Sequence, residues 1–157
     1  MAEFSLSPAT FADLDDVRRL FRAYAQAIEI ELDYQNFEAE LDSLPGKYEP
    51  PKGALFIAKL DDGTAIGCVA LRRLEAEGTC EMKRLYVAPR GRGLGIGKAL
   101  AQRVMDEAVR LGYTTMLLDT LPSLETALAM YRQFGFVQIP PYYDSPVEET
   151  IFMRREL

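Results

Sequence analysis

A strand, a glycine-rich loop and a helix follow one another between residues 81 and 111, and this stretch constrains the fold most. The apolar run 85–87 predicts a strand, and apolar residues recur with helical spacing from Ile96 to Leu111. The loop between them has glycines at positions 91, 93, 95 and 97. Bare backbone N–H groups and the positive end of a helix then face one point, which is typical of a phosphate site. Basic side chains at Arg90, Arg92 and Lys98 favour the same kind of ligand.

The segments around this stretch predict a mixed α/β sheet. Alternating or apolar runs predict strands at 4–7, 54–60, 65–74, 79–88, 114–119, 136–139 and 150–153. Helical spacing predicts helices at 11–28, 34–44, 96–111 and from Pro122 to a stop at Gly135. Short turns join the early strands, whereas strand 114–119 follows a helix and should lie parallel to strand 79–88. We therefore expect one α/β domain over residues 1–157, antiparallel in its first half and parallel at its centre, with helices on both faces.

Composition excludes several classes of function. The 157 residues include no histidine, which removes the Ser-His-Asp and Cys-His nucleophile systems, and we expect no metal site. Two cysteines are too few for a disulfide framework, and neither an export signal nor a membrane span is visible, so we expect a cytoplasmic protein. The net charge is −6, and the segment 13–42 alone carries nine acidic and three basic residues, so we expect no nucleic-acid partner.

Two common nucleotide fingerprints do not fit the glycine loop. The Rossmann pattern G-x-G-x-x-G would end at Ile96 or Lys98, depending on its first glycine, and neither residue is a glycine. The Walker pattern G-x-x-x-x-G-K-[ST] requires a glycine at Arg92 and a hydroxyl at Ala99. The loop is therefore predicted to bind a different phosphorylated ligand.

Two short signatures indicate which ligand this is. Arg90, Gly93 and Gly95 form R-x-x-G-x-G directly after the strand, and the segment from Ala127 to Phe136 reads A-x-x-M-Y-x-x-x-G-F. With these residues the chain resembles the GNAT superfamily of acetyl-CoA-dependent N-acetyltransferases, whose second signature is A-x-x-L-Y-x-x-x-G-F. The resemblance covers essentially the whole chain. It implies a single GNAT-like domain with a splayed parallel centre, and acetyl-CoA as co-substrate.

The resemblance also implies which residues hold CoA. Backbone N–H groups of the loop would wrap the pyrophosphate, in residues Arg92, Gly93, Leu94, Gly95, Ile96, Gly97 and Lys98. The backbone of Leu85, Tyr86 and Val87 would bond the pantetheine arm as an added strand does. Many family members have an asparagine seven residues before the tyrosine of the second signature, whereas this chain has Leu124. We expect Thr120 or Ser123 to replace that contact.

Two catalytic residues follow from the same resemblance. Tyr131 matches the family tyrosine that protonates the departing CoA thiolate, and a phenol with a pKa of about 10 can protonate a thiolate of about 8.5. Glu81 stands six residues before Val87, where histone-type members carry a general-base glutamate, and even spacing would place both side chains on one face of the strand. The alternatives are a packing role for Tyr131 and an ion pair of Glu81 with Lys83 or Arg84.

Together these residues predict direct transfer of an acetyl group from acetyl-CoA to a primary amine in a ternary complex. We expect a small-molecule acceptor, and the acidic segment 13–42 and the loop Tyr142-Tyr143-Asp144 would suit a cationic one. A peptide or protein N-terminus is equally allowed by the fold. A non-catalytic regulatory module that binds acyl-CoA is the alternative from another functional class. The sequence is compatible with a monomer or a homodimer.

Overall fold

The central sheet has seven strands in the computed structural model, which describes residues 3–29 and 36–157. The strands are β1 Phe4–Pro8, β2 Ala54–Leu60, β3 Ala65–Arg73, β4 Thr79–Val87, β5 Thr115–Thr120, β6 Val137–Ile139 and β7 Ile151–Glu156. They lie in the order β1-β2-β3-β4-β5-β7-β6. Strands β1 to β4 pair antiparallel, and β4 pairs with β5 in parallel. The predicted mixed sheet, antiparallel in its first half and parallel at its centre, is confirmed.

Helices cover both faces of this sheet, as predicted. They are α1 Leu14–Ala27, α2 Phe37–Ser43, α3 Ile96–Arg110 and α4 Glu125–Gln133. One apolar core lies between the sheet and helices α1 and α2, around Phe21 and Leu41, and the other lies under α3 and α4, around Leu100 and Val104. The first two residues of the predicted helix 34–44 lie outside the described residues. Within the described ranges, no helix is long and apolar enough to cross a membrane.

Two helices begin later than the sequence predicts. The carboxylate of Asp13 accepts a hydrogen bond from the backbone N–H of Thr10 at 2.8 Å, and the first turn is a 3₁₀ turn that precedes α1. Phe11, which was expected on the apolar helix face, is therefore 91% exposed. Helix α4 begins at Glu125, after a turn, instead of at Pro122.

Strand β4 contains a β-bulge at Arg84. Cys68 of β3 pairs with Tyr86, and Ala70 pairs with Lys83, so one residue of β3 faces two residues of β4. Arg84 has a φ of 60°, in the left-handed region that residues other than glycine adopt rarely. The extra residue reverses the alternation of side chains along the strand.

The bulge corrects one expectation from the sequence. Met82 and Val87 both pack in the core under α3 and α4, although an odd number of positions separates them. Glu81 therefore lies on the opposite face of β4 from Val87, because even spacing keeps one face only in a strand without a bulge. The pairing of β5 with β4 extends only from Thr79 to Glu81, so the two parallel strands separate beyond that point.

Candidate active site

A cleft of about 680 Å³ opens where β4 and β5 separate. On one side it is lined by Lys83 and Arg84 of β4, Asp119 of β5 and Tyr24 of α1. On the other side it is lined by residues 85–87, the glycine loop, the first turn of α3 and helix α4 with Tyr131. Since these groups come from both faces of the sheet, the cleft gives two molecules access to a common point. We call the first side the acceptor side.

The glycine loop forms the positively charged end of the cleft. Gly93 and Gly95 have φ angles of 82° and 81°, which glycine adopts without strain, and Gly95 is the N-cap of α3. A Cβ atom at either position would meet no other atom within 4 Å, so the space beside the loop is open to a ligand. Gly97, Arg92 and Lys98 also line this end. Helix N–H groups and two cations thus face one open space.

Two loop residues point elsewhere. Leu94, alone in the predicted pyrophosphate set, does not line the cleft, because its side chain packs against the core under α3. The guanidinium of Arg90 forms an ion pair with Asp62 at 2.6 Å and donates a hydrogen bond to Thr64 at 3.2 Å. Arg90, which the sequence grouped with the phosphate-binding charges, instead fixes the loop to the β2–β3 turn.

The β4 segment beyond the separation has an open edge. Leu85, Tyr86 and Val87 all line the cleft, and no described strand pairs with the edge that faces β5. The Nε of Arg92 donates a hydrogen bond to the carbonyl oxygen of Val87 at 3.2 Å. An extended chain of amides can bond such an edge as an added strand does.

A buried hydroxyl group lies in the cleft wall at the end of β5. Thr120 is 5% exposed, and its Oγ1 has no hydrogen-bond partner among the described residues. A buried polar atom without a partner costs about 1–3 kcal/mol, so its presence in a cleft indicates a partner supplied by a ligand. Ser123 and Leu124 line the cleft beside it.

Tyr131 reaches the cleft from helix α4. Its buried ring packs edge-on against Phe136, with the ring centroids 5.8 Å apart. Burial raises the pKa of the phenol well above its ordinary value, and the nearby phenol of Tyr24 and carboxylate of Asp119 raise it further. The phenol therefore keeps its proton at neutral pH and faces the cleft as a donor.

Glu81 lies close to the cleft but does not line it. Its side chain is completely buried, with Arg72 Nε donating to the carboxylate at 2.7 Å and the hydroxyl of Tyr142 donating to the other oxygen. The Nζ of Lys83 is 4.0 Å away. Burial raises the pKa of Glu81, but Lys83 and Arg72 outweigh this effect, and the pKa is lowered. Glu81 thus forms an ion pair, its predicted alternative role, but mainly with Arg72 and less closely with Lys83.

Lys83 and Asp119 face the cleft together, although neither residue is among the site residues predicted from the sequence. Lys83 Nζ lies 3.9 Å from the Asp119 carboxylate, which also accepts a hydrogen bond from the hydroxyl of Tyr143 at 2.6 Å. Burial lowers the pKa of Lys83, and the carboxylates of Glu81 and Asp119 oppose this change. Charged residues within otherwise apolar strands are the signal that could have found both residues.

Comparison with known proteins identifies a family that this chain matches. The sequence model of the Acetyltransferase (GNAT) family matches residues 14–136. The chain is 42% identical over 145 residues to an uncharacterized N-acetyltransferase of Schizosaccharomyces pombe, an alignment that covers 92% of this chain and 89% of that protein.

A human relative and a solved structure agree with this match. N-acetylaspartate synthetase of Homo sapiens is 31% identical over 119 residues, which cover 76% of this chain but 37% of that protein. The crystal structure of a GNAT-family acetyltransferase from Staphylococcus aureus has the same fold, with a TM-score of 0.82 at 19% identity, covering 98% of this chain and 99% of that one. The family match, the close relative and the shared fold show that this chain belongs to the GNAT family of acetyltransferases.

Proposed function

We propose that this chain transfers the acetyl group of acetyl-CoA to a small primary amine by direct attack in a ternary complex. The observation that carries the proposal is one cleft that joins the glycine loop and the N-terminus of α3 to the buried phenol of Tyr131. A cysteine nucleophile is not part of the mechanism. Cys68 and Cys80 are buried, and burial raises the pKa of each thiol to about 12.

The residues of the cleft fit CoA in three respects. The loop at Gly93 and Gly95 is open beside a helix N-terminus, as a pyrophosphate requires. The free edge of residues 85–87 offers backbone groups to the amides of a pantetheine arm. The hydroxyl of Thr120 has no hydrogen-bond partner among the described residues, and a bound pantetheine arm would supply one. These observations support the assignment of residues 85–87 and 92–98, Thr120 and Ser123 to the co-substrate, with Leu94 contributing backbone only.

The chain supplies a hydrogen-bond donor for each of the two substrate atoms that gain negative charge, the carbonyl oxygen and the sulfur. Acetyl-CoA provides an acetyl group activated as a thioester. A backbone N–H near Val87 is proposed to stabilise the carbonyl oxygen as negative charge develops on it. The amine nitrogen bonds to the carbonyl carbon while the carbon–sulfur bond breaks, and Tyr131 donates its proton to the departing sulfur. Solvent then returns the proton to the phenol.

The amine must also lose a proton, and we assign this step to Asp119, acting directly or through water. Among the described residues, Asp119 is the carboxylate that lines the acceptor side. Glu81, the base predicted from the resemblance, is turned away from the cleft by its hydrogen bonds with Arg72 and Tyr142. We propose that Glu81 is a positioning residue, which acts on the substrate through Lys83.

The name of one relative supports a small acceptor. N-acetylaspartate synthetase is named for an acetylated amino acid, which is a small molecule. A protein or peptide N-terminus and a non-catalytic acyl-CoA-binding module are the competing functions.

One assay separates these three functions. The purified chain is incubated with acetyl-CoA and a panel of small amines and peptides, and the release of CoA thiol is measured. Thiol release with small amines is the expected result. Release with peptides alone would indicate a peptide acetyltransferase. Thermal stabilisation by CoA without thiol release from any amine would overturn the proposal in favour of a binding module.

A further inference from the structure

The acceptor side of the cleft presents charged groups of both signs. From these groups we infer that the acceptor amine also bears a carboxylate, with an α-amino acid as the simplest case. Lys83 binds the carboxylate, and Asp119 holds the amino group from which it takes the proton. The inference rests on the proposed function, because it names the substrate class of the same site.

The acidic segment 13–42 supplies no negative charge to the cleft from its paired carboxylates. Five described carboxylates pair with basic side chains, namely Asp13 with Lys59 (2.8 Å), Asp15 with Arg18 (3.0 Å), Asp16 with Arg19 (3.4 Å), Glu38 with Arg22 (2.9 Å) and Glu40 with Arg84 (3.0 Å). None of these five carboxylates lines the cleft. Five of the nine acidic residues that favoured a cationic acceptor in the sequence are thus paired within the fold.

The aromatic loop also turns away from the acceptor. The hydroxyl of Tyr142 donates to Glu81, and that of Tyr143 donates to Asp119. Both rings pack edge-on against Phe152, at centroid distances of 5.1 and 5.0 Å. Neither tyrosine lines the cleft, so their effect is to orient two carboxylates.

Lys83 is the cation best placed to bind a substrate carboxylate. It is 8% exposed, and the exposed part faces the cleft. Its Nζ lies 3.9 Å from Asp119 and 4.0 Å from Glu81. An ammonium group is compact and its donors rotate, so a carboxylate that enters the cleft can share it with these neighbours.

Cations outnumber carboxylates around the acceptor side. Lys83 contacts Glu81 and Asp119, and Arg72 contacts Glu81. Glu40 contacts both Arg84 and Lys47, so these pairs contain four cations and three carboxylates. A bare alkylammonium would add a further buried positive charge without a counterion, which is costly in a medium of low polarity. An α-amino acid adds a charge of each sign and therefore adds no net charge to the site.

The first test compares acceptors that differ in the carboxylate. For leucine and phenylalanine, kcat/KM for thiol release is measured beside the α-amide and the decarboxylated amine, isoamylamine or phenethylamine. The amino group of the amide is more acidic than that of the amino acid, and that of the amine is more basic, so amine basicity alone cannot favour the amino acid over both. The expected kcat/KM of the amino acid exceeds both by about 10- to 100-fold. Equal or higher values for the amide or the amine would overturn the inference.

The second test changes the proposed carboxylate ligand. In Lys83→Gln, the ratio of kcat/KM between the amino acid and its decarboxylated amine should fall toward one, mainly through a higher KM for the amino acid. Arg73→Gln, a change of the same kind at the exposed end of β3, should leave the ratio at its wild-type value. A purely structural role for Lys83 predicts equal losses for all acceptors, and that result would also overturn the inference.

Folding and chemistry are separated by a further variant and a binding measurement. Lys83→Arg keeps the charge and should keep most of the preference for the carboxylate, which a misfolded variant cannot do. Thermal stabilisation by CoA checks that each variant retains the donor half of the site. Thiol release that is at least as fast with amines lacking a carboxylate as with amino acids supports the proposed transfer while overturning the inference. No thiol release with any amine overturns the proposed function itself.

Discussion

Glu81 and Val87 lie on opposite faces of β4, although six positions separate them, because the bulge at Arg84 adds one residue to the strand. Val87 consequently packs under α3 beside the glycine loop. Glu81 faces the other way, toward Arg72 and Tyr142. The backbone near Val87, which is proposed to stabilise the thioester carbonyl oxygen, and the carboxylate of Glu81 therefore lie on different faces of the strand. The spacing of the two residues alone predicts that they share one face.

Glu81→Gln should therefore act on acceptor binding more than on chemistry. The amide keeps the shape of the side chain but loses the charge that faces Lys83, so we expect KM for the acceptor to rise several-fold while kcat falls less than tenfold. The pH dependence of kcat should keep its wild-type form. A fall of kcat by 100-fold or more, with loss of the acidic limb, would restore Glu81 as the general base.

Tyr131→Phe should lower kcat by about 100-fold, because the departing sulfur loses its proton donor. The affinity for CoA, measured by calorimetry, should change little. Burial raises the pKa of the phenol, so the wild-type rate should show no alkaline decline from its ionisation up to about pH 10. Tyr113→Phe, which removes a hydroxyl that donates to the Lys52 carbonyl, is the control. Similar rates for both variants would assign Tyr131 a packing role only.

Gly97→Ala should stabilise the fold and weaken CoA binding. Gly97 lies in the first turn of α3 without a positive φ, and a Cβ there would meet Val87 Cγ2 at an ordinary 3.7 Å. Replacing it by alanine should gain about 0.5 kcal/mol of helix stability. The added methyl group faces the space proposed for the pyrophosphate, so the CoA dissociation constant should rise several-fold.

Gly112→Ala is the matched opposite of this change. Gly112 has a φ of 93° and does not line the cleft, so alanine there should destabilise the fold by about 1 kcal/mol and leave CoA affinity unchanged. Thermal unfolding with and without CoA measures both effects. An unchanged CoA affinity in Gly97→Ala would exclude close approach of the ligand to this turn.

Thr120→Val should likewise stabilise the apoprotein and weaken CoA binding. Valine has the shape of threonine without the buried Oγ1 that lacks a partner among the described residues, so the free energy of unfolding should rise by about 1 kcal/mol. Loss of one hydrogen bond to the ligand should weaken CoA binding by about fivefold. Thr115→Val, on the exposed end of the same strand, should change neither quantity appreciably. Unchanged CoA affinity in Thr120→Val would assign the replacement of the family asparagine to another group.

Glu40→Gln should cost about 3 kcal/mol of stability and lower Tm by about 10 °C, because it leaves the buried guanidinium of Arg84 without a counterion. Glu38→Gln, which breaks the exposed pair with Arg22, should cost less than about 0.5 kcal/mol. Burial raises the pKa of Glu40, but Arg84 and Lys47 outweigh it and the pKa is lowered. The stabilising contribution of the Glu40–Arg84 pair is therefore complete at pH values above the pKa of glutamate in the unfolded chain. It is lost as the pH falls through the lowered pKa of Glu40 in the folded protein. The difference in the free energy of unfolding between Glu40→Gln and wild type should therefore decrease at acidic pH.

Most of the fold could be predicted from sequence because its signals are local. Strands β2 and β3 and their turn, the parallel pairing of β5 and the stop at Gly112 each follow from residue pattern and chain order. The loop residues that line the cleft, and Tyr131 with them, could be located in the same way. Short spacings along one chain segment fix these features.

The acceptor side could not be predicted, because residues distant in sequence build it. The bulge at Arg84 depends on pairing with β3. No local sequence pattern predicts where one strand of a pair contains an extra residue. Asp119 and Lys83 meet only after β4 and β5 have been placed side by side. Two carboxylates of the acidic segment pair with cations from outside it, Asp13 with Lys59 and Glu40 with Arg84, and the local charge count does not include these partners.

The ion pair between Glu40 and Arg84 limits which segments can be exchanged between this chain and its relatives. Glu40 lies in helix α2, which precedes β2 and β3 in the chain, and Arg84 lies at the bulge of β4 on the acceptor side of the cleft. A chimera that imports residues 9–53 from a relative, with a different partner at position 40, would leave Arg84 buried without its counterion. A chimera of this kind, made to change the acceptor, should therefore fold stably only when the residue at position 84 is exchanged as well. Positions 40 and 84, although distant in sequence, would have to be transferred together.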